Sequence, residues 1–282
     1  MVAVSGFQTI GVDNLTPHIG AEINGVDLSK DLSNEQFSEI YQAWLDWKVI
    51  VFRDQQISRD QHKAFARKFG SLHVHPMQHH YQGDPEILTV KTTKDSAYTA
   101  GNGWHTDVTC DEIPPLGSML YIKETPDSGG GDTLYADMYL AYELLSEKMK
   151  ELLSGLIAVH DGALPYLRNY KVAAPDGHEY PKNEHPIITT HPETGKKSLF
   201  VDRLMTQRIE GVSYEESEEI LEQLYAAGEN EEVVYEHEWQ LGDFVMWDNR
   251  CVNHARRDFP STQRRLLRRN VIQGTQPKRA TI

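Results

Sequence analysis

The sequence predicts a β-sandwich or jelly roll with a few inserted helices, that is, a mainly β fold with peripheral helices. Three observations support this class. Many short apolar runs are bounded by Gly, Pro, Asn or Asp, which is the pattern of short strands that end in turns. Only a few stretches carry apolar residues at helical spacing. The 282 residues show no internal repeat and can bury a large core, so we expect a single domain over residues 1–282.

The first part of the chain alternates short strands with two helices. Residues 7–28 have the turn-rich pattern of short strands, and the continuous apolar run over 49–52 predicts a buried strand. Capping boxes at 33–36 and 58–61 each begin a helix. We expect the second helix to run to Phe69, where a glycine follows as its stop.

The rest of the chain is mostly strands. These strands are expected at 87–90, 117–123, 133–135, 156–159, 187–190, 198–201, 233–239, 243–247 and 264–273. Helices are expected over 137–154 and after the capping residue Ser213. The polar residues 162–184 have no clear period and form either a lid or a locally folded segment. The glycine-rich turn at 127–133 lacks the Gly-Lys-Ser/Thr of a phosphate loop.

Charge and cysteine content limit the classes of partner and compartment. The net charge of −14 argues against nucleic acid or an anionic membrane as a partner. Cys110 and Cys251 cannot form a disulfide framework and suit a reducing cytoplasm, each as a small core residue. No apolar stretch approaches the roughly 20 residues that span a bilayer, and no secretory signal is visible. We therefore expect a cytoplasmic protein.

The segment Trp104-His105-Thr106-Asp107 is the one most indicative of chemistry. We expect a strand entered from a polar loop over 94–103, so that His105 and Asp107 share one face and Thr106 points away. An imidazole and a carboxylate that converge in this way supply two ligands of a 2-His-1-carboxylate Fe(II) site. From this pair alone, an imidazole hydrogen-bonded to a nearby carboxylate is an equally good interpretation.

Two other groups of histidines have simpler interpretations. The sequence His191-Pro192-Glu193 lies between two apolar runs and before a glycine, which predicts a hairpin turn and not a ligand pair. A second group comprises His73, His75, His79 and His80. Such a tract can bind metal, but we interpret it as surface or pocket-lining histidines.

Arginines are concentrated near the C-terminus, where six lie between residues 256 and 269 of an otherwise acidic chain. A solvated basic face or a local anion-binding patch would explain them. Strand alternation gives a more specific interpretation than a basic face, because it places Arg265 and Arg269 on one face of the strand about 13 Å apart. That distance suits two different anions better than one, and each guanidinium fork matches a carboxylate or another oxyanion.

The joint pattern of 104–109, 130–133, 247–250, His254 and the strand 263–269 resembles the taurine dioxygenase (TauD/TfdA) family. These are Fe(II)- and 2-oxoglutarate-dependent oxygenases that include aryloxyalkanoate and alkylsulfatase dioxygenases. The resemblance covers nearly the whole chain. It implies a double-stranded β-helix with a jelly-roll core. It also implies that the protein uses O2 to hydroxylate a small organic anion while 2-oxoglutarate becomes succinate and CO2.

The resemblance further implies roles for individual residues. His105, Asp107 and His254 would be the catalytic metal ligands for Fe(II). Arg265 would pair with the distal carboxylate of 2-oxoglutarate, helped by the hydroxyl of Thr133.

On the substrate side, Arg269 matches a position that binds the anionic group in the taurine enzyme, and His75 matches a histidine of that pocket. The taurine enzyme has an asparagine three residues before the motif tryptophan. Here that position is Gly101, with Asn102 next to it, which argues against taurine itself. Three glycines, not two, precede Asp132, so we expect the loop before Thr133 to differ in geometry.

Two other classes of function stay open on the residues alone. A zinc hydrolase could use the same His2Asp triad with a water, and a cupin-like protein could bind a ligand without turnover. A hydrolase has no use for a buried arginine some distance from the metal, and strict dependence on 2-oxoglutarate and O2 would separate it from an oxygenase. As partners we expect a small anionic organic substrate and further copies of the chain, in a dimer or tetramer.

Overall fold

The computed structural model describes residues 2–4, 6–74, 84–93, 101–170, 179–260 and 262–281. Its strands are β1 (Val2–Ala3), β2 (Gly11–Asn14), β3 (Ala21–Asn24), β4 (Val49–Phe52), β5 (Leu88–Thr92), β6 (Gly117–Glu124), β7 (Thr133–Asp137), β8 (Ile157–Asp161), β9 (Lys182–Pro186), β10 (Ile188–Thr190), β11 (Lys197–Leu199), β12 (Thr206–Ile209), β13 (Val234–His237), β14 (Phe244–Asp248), β15 (Val252–Arg256) and β16 (Arg265–Ile272). The α-helices are α1 (Asn34–Trp47), α2 (Arg59–Arg67), α3 (Met138–Glu143), α4 (Glu147–Leu153) and α5 (Tyr214–Gly228). A π-helix covers Pro165–Tyr170 and a 3-10 helix covers Glu231–Val233.

Two sheets pack face to face and form a sandwich. The larger sheet has eight strands in the order β1-β2-β3-β4-β14-β6-β16-β5, and the smaller one has the order β13-β7-β15. One hydrophobic core joins them: Val51, Val245 and Leu267 belong to the larger sheet, and Tyr135 and Val252 belong to the smaller. The predicted class, mainly β with peripheral helices, is confirmed.

The other face of the larger sheet is covered by α1 and α2. Ile50 and Phe52 of β4 pack into the core on that side, together with Trp44 of α1. Val49 and Val51, which alternate with them, pack toward the smaller sheet. Because both faces are covered, β4 is buried along its whole length, as its continuous apolar run predicts.

Helix starts follow the predicted capping residues. Ser58 and Ser213 each form a complete capping box. At α1 the Ser33 hydroxyl accepts a hydrogen bond from the Gln36 N–H at 3.1 Å. Among the described contacts of that turn, the Gln36 side chain does not return a bond, so this box is only half formed.

Two predicted helix ends differ from the structure. Helix α2 ends at Arg67, two residues before the predicted Phe69. The single helix predicted over 137–154 is the pair α3 and α4, because Ser146 begins a new helix by accepting the Met149 N–H at 3.2 Å.

Strands β1, β9, β12 and β15 are absent from the sequence prediction. Part of the polar segment 162–184 is locally folded, as the π-helix and β9 show, while residues 171–178 lie outside the described part of the chain. A lid role for this segment therefore stays a prediction. None of the helices in the described ranges is both long and apolar enough to cross a bilayer.

Candidate active site

Three side chains that are remote in the sequence converge between the two sheets. The Nε2 atom of His105 lies 3.7 Å from Asp107 Oδ1, and the Nε2 atom of His254 lies 3.8 Å from the same oxygen. One ligand atom from each residue lies within 4.8 Å of the others. The structure thus brings together the predicted triad, in the donor set that non-haem Fe(II) prefers.

The backbone, and not only the side chains, holds the two imidazoles side by side. His105 N–H donates to the His254 carbonyl at 2.9 Å, and His254 N–H donates back to the His105 carbonyl at 2.7 Å. This isolated antiparallel bridge attaches the predicted motif to β15. The expectation that the whole motif is a strand is wrong: the chain turns at Asp107, and Val108 adopts a φ of 50°, which is rare for a β-branched residue. Backbone strain of this kind concentrates at functional sites.

Both imidazoles are set up to offer a lone pair. His105 Nδ1–H donates to the Gly103 carbonyl at 2.8 Å, so its Nε2 carries no proton in the neutral ring. Burial lowers the pKa of His105, and burial followed by the charge of His105 holds the pKa of His254 well below its ordinary value. Neutral imidazole is the form that binds metal.

The carboxylate of Asp107 is oriented by a chain of buried hydrogen bonds, here named the Ser118 relay. Trp247 Nε1–H donates to Asn249 Oδ1 at 2.8 Å, and Asn249 Nδ2 donates to Ser118 Oγ at 3.0 Å. The Ser118 hydroxyl then donates to Asp107 Oδ2 at 2.5 Å. All three relay residues are at most 1% exposed. With Oδ2 engaged, Oδ1 is left to face the histidines, which is the usual effect of groups that surround a metal ligand.

Arg269 places a positive charge beside the triad. Its Nη2 lies 2.6 Å from Asp107 Oδ1. Burial alone would raise the pKa of Asp107, but Arg269 and the two histidines outweigh it and hold that pKa below its ordinary value. The carboxylate is therefore ionised over the whole physiological range.

Arg265 is a second arginine on the same strand, and it is buried at 5% exposure. Its guanidinium lies between the rings of Trp239 and Phe259, at 5.8 Å and 6.0 Å from their centroids. Nη2 donates to the Gly131 carbonyl at 2.9 Å, and the Nε–H has no hydrogen-bond partner among the described residues. Burial, followed by the charge of Arg256, lowers the pKa of Arg265 to about 9. A buried cation with unused donors is a good receptor for an anion.

The glycine-rich turn makes room for this arginine. Gly131 has a φ of +77°, and a Cβ atom there would lie 3.0 Å from Arg265 Nε and 3.2 Å from Phe259. Two residues on, the Thr133 hydroxyl accepts a hydrogen bond from Trp239 Nε1 at 3.0 Å. The turn therefore sets the position of both groups expected to bind 2-oxoglutarate.

The His191 turn has the structural role that its sequence predicts. It joins β10 to β11, and His191 Nδ1 accepts the Thr194 N–H at 3.1 Å while Nε2–H donates to Asp248 at 3.0 Å. Cys251 lies close enough for these groups to resemble a metal cluster. However, Arg250 already binds both oxygens of Asp248, at 2.8 Å and 2.7 Å, so the set is a hydrogen-bonded turn.

The remaining predicted residues are less defined. His73 donates from Nε2 to Asp111 at 3.0 Å, whereas His75 and its neighbours His79 and His80 lie outside the described residues. Asn102 is exposed in the loop that leads to the triad, and its role stays a prediction.

Sequence reasoning missed several residues of the site. Ser118, Tyr135 and Phe259 carry no recognisable signal. Trp239 could have been found, because it continues the alternation of Tyr235 and His237 in the predicted strand 233–239, although β13 itself ends at His237.

Comparison with known proteins decides the family. The sequence matches the family described as Taurine catabolism dioxygenase TauD, TfdA family over residues 11–270. The chain belongs to the TauD/TfdA family. It is therefore a 2-oxoglutarate-dependent dioxygenase whose cofactors are Fe(II), 2-oxoglutarate and O2. The two other classes of function that the residues alone left open, a zinc hydrolase and a binding protein without turnover, are therefore wrong.

Several TauD/TfdA relatives are similar over almost their full length. The (S)-phenoxypropionate/alpha-ketoglutarate-dioxygenase of Sphingobium herbicidovorans is 34% identical over 90% of this chain and 92% of its own. The alkylsulfatase of Acinetobacter baylyi is 34% identical over 95% of this chain and 86% of its own. The crystal structure of AAD-2 in complex with Mn(II) and N-oxalylglycine has a TM-score of 0.89, 28% identity, and covers 96% of this chain and 100% of that one. The predicted jelly-roll fold is confirmed by this likeness.

Proposed function

We propose that this TauD/TfdA dioxygenase hydroxylates a small organic anion, either a sulfonate, a sulfate ester or an aryloxyalkanoate or related carboxylate, with release of succinate and CO2. The observation that carries the proposal is the pair of arginines on one face of β16. Arg269 lies at the triad, and Arg265 is buried farther along the strand among different neighbours. Two separate cationic sites suit two separate anions, the cosubstrate and the substrate.

In this proposal His105, Asp107 and His254 hold the iron. Two neutral Nε2 atoms and one ionised Oδ1 atom that share one space fit the three protein ligands of such a centre. When bound, the iron with 2-oxoglutarate and O2 supplies the oxidising chemistry that places a hydroxyl group on a C–H carbon. The chain itself orients the reactants and excludes water, because the ligands lie between two packed sheets.

Arg265 would bind the distal carboxylate of 2-oxoglutarate, and the Thr133 hydroxyl would add a hydrogen bond. The Thr133 oxygen accepts from Trp239, so its own proton is available to a carboxylate. The rings beside Arg265 keep water from the guanidinium, which strengthens a charge-assisted pair.

Arg269 would bind the anionic group of the substrate, with His75 and Asn102 as further contacts. Because Arg269 reaches Asp107, the carbon next to that anionic group would lie close to the metal. If the carbon bears a sulfonate, a sulfate or an ether oxygen, the hydroxylated product collapses and expels that group. If it bears none of these, the hydroxylated anion is the product.

Two substitutions and one control on the same strand test this division of roles. Arg269→Ala should raise KM for the anionic substrate and leave 2-oxoglutarate binding largely intact, whereas Arg265→Ala should do the reverse. Arg268→Ala is the control, because that side chain faces the other side of β16 and contacts the Ile57 carbonyl. Succinate release would be screened across sulfonates, sulfate esters and aryloxyalkanoates. If both substitutions weaken only 2-oxoglutarate binding, the assignment of Arg269 is wrong.

We also propose that the chain forms a single domain and a dimer or tetramer in the cytoplasm. Its two cysteines are free and buried, which suits a reducing compartment. Sedimentation equilibrium would give the oligomeric state, and a purely monomeric mass would contradict that part of the proposal.

A further inference from the structure

The active site contains a buried hydroxyl group that forms no close hydrogen bond with any of the described residues. Tyr135 of β7 is 0% exposed, and its ring stacks on the metal ligand His254 with centroids 6.2 Å apart. Its Oη atom has no hydrogen-bond partner among the described residues. Buried polar groups nearly always have a hydrogen-bond partner, and leaving one unpaired is unfavourable. An unused buried hydroxyl in an active site therefore indicates a ligand.

Strand geometry places this hydroxyl along the path from the triad to Arg265. Tyr135 shares one face of β7 with Thr133, with Cα atoms about 7 Å apart, so the two side chains can reach one carboxylate. Strand β7 pairs with β15, so that Tyr135 lies opposite His254 of β15 and Thr133 lies opposite Arg256 of β15. Thr133 and Arg265 both act on the Tyr135 hydroxyl, so this group lies near the two side chains expected to bind the distal carboxylate, although neither makes a close hydrogen bond to it.

We propose that Tyr135 is a further cosubstrate-binding residue, whose Oη–H donates a hydrogen bond to the distal carboxylate of 2-oxoglutarate. The inference rests on the proposed role of Arg265 as the partner of that carboxylate. A phenol is protonated at neutral pH and so acts as a donor to an anion. The carboxylate would then meet one guanidinium and two hydroxyl groups, those of Thr133 and Tyr135, in a site closed to water.

A neighbouring tyrosine provides a matched control. Tyr235 lies opposite Tyr135 in β13, is 7% exposed, and stacks on it with centroids 6.2 Å apart. Its hydroxyl, however, already donates to His237 Nδ1 at 2.8 Å. The same Tyr→Phe change thus removes a free hydroxyl at one position and a satisfied one at the other.

The test measures 2-oxoglutarate binding to the Mn(II)-loaded protein by calorimetry under nitrogen. Tyr135→Phe should weaken that binding about tenfold to a hundredfold, since hydrogen bonds to charged groups contribute about 1.5–3 kcal/mol. Affinity for Mn(II) alone should not change. Unfolding in urea without 2-oxoglutarate should show little or no loss of stability, because no close internal hydrogen bond is lost. Tyr235→Phe should show the opposite pattern: unchanged 2-oxoglutarate affinity and lower stability.

Two outcomes would overturn the inference. One is unchanged 2-oxoglutarate affinity in Tyr135→Phe while Arg265→Ala loses it; the proposed function then stands and only the role of Tyr135 fails. The other is a clear loss of stability in Tyr135→Phe without ligand, which would show that the hydroxyl has an internal partner. If Arg265→Ala itself binds 2-oxoglutarate normally, the proposed function fails first.

Discussion

The Ser118 relay makes a quantitative prediction about how the metal ligand Asp107 is held. Ser118→Ala removes one oxygen and leaves the strand β6 otherwise unchanged. Asp107 Oδ2 then loses its donor at 2.5 Å, and Asn249 Nδ2 loses its acceptor at 3.0 Å. Both groups are buried, so neither can exchange the lost bond for water without rearrangement.

The size of the effect follows from these two losses. An unpaired buried group costs about 1–3 kcal/mol, so with two such groups we expect the free energy of unfolding to fall by about 2–6 kcal/mol. Groups that orient a metal ligand typically contribute tenfold to a hundredfold in affinity. We therefore expect about that loss in metal affinity, because Asp107 can rotate and present either oxygen.

Titration with Mn(II), followed by the electron paramagnetic resonance of the free ion, measures this affinity without oxidation. Urea unfolding gives the stability. Ser198→Ala is the matched control, since Ser198 is also 0% exposed but donates to the Leu199 carbonyl at 3.3 Å in β11. Ser198→Ala should lower the free energy of unfolding modestly and leave the Mn(II) affinity unchanged. Equal Mn(II) affinity in wild type and Ser118→Ala, at any stability, would refute an orienting role for the relay.

Two further predictions concern the glycine-rich turn and a buried histidine. Gly131→Ala should weaken 2-oxoglutarate binding about tenfold or more, because its Cβ would displace Arg265. In Gly129→Ala, which has a similar φ of +78° and no atom within 4 Å, calorimetry should show no change, and a loss there would mean that strain alone matters. His62 is 0% exposed, and burial lowers its pKa from 6.5 to about 3, so its unfolded form takes up a proton that the folded form does not. Stability contributed by His62 is therefore present above pH 6.5 and lost as the pH falls, by about 1.4 kcal/mol per pH unit. His62→Leu should flatten the acid limb of urea stability between pH 6 and 4, and an unchanged slope would contradict this.

The sequence predicted the structure best where a local pattern, such as strand alternation or a continuous apolar run, has a single structural explanation. Strand alternation along β16 predicted that Arg265 and Arg269 share one face, because the two-residue period of a strand does not depend on which residues surround it. Likewise the apolar run of β4 predicted a strand covered on both faces. The convergence of His105 and Asp107 was predicted correctly but for a wrong reason, since a turn and not a strand directs Asp107.

Other features depend on contacts between distant segments, which a single sequence does not show. Strand β15 was missed because Asn253 and His254, on its two opposite faces, are both polar and break the apolar pattern. Asn253 is instead held by polar bonds: it accepts the Thr106 hydroxyl at 2.5 Å and donates to the Val201 carbonyl at 2.9 Å. The Ser118 relay was invisible for the same reason, because a lone serine in a strand has many possible uses.

The backbone bridge between His105 and His254 has a consequence for how the enzyme matures. The bridge, the proposed third metal ligand and both arginines of β16 all depend on residues 252–272, which are translated after His105 and Asp107. A polypeptide still on the ribosome, or one cut short before β15, would carry His105 and Asp107 without the strand that holds them. We therefore expect iron to be acquired only after β15 and β16 have been synthesised and folded, so that nascent chains without them do not carry a reactive, half-enclosed metal.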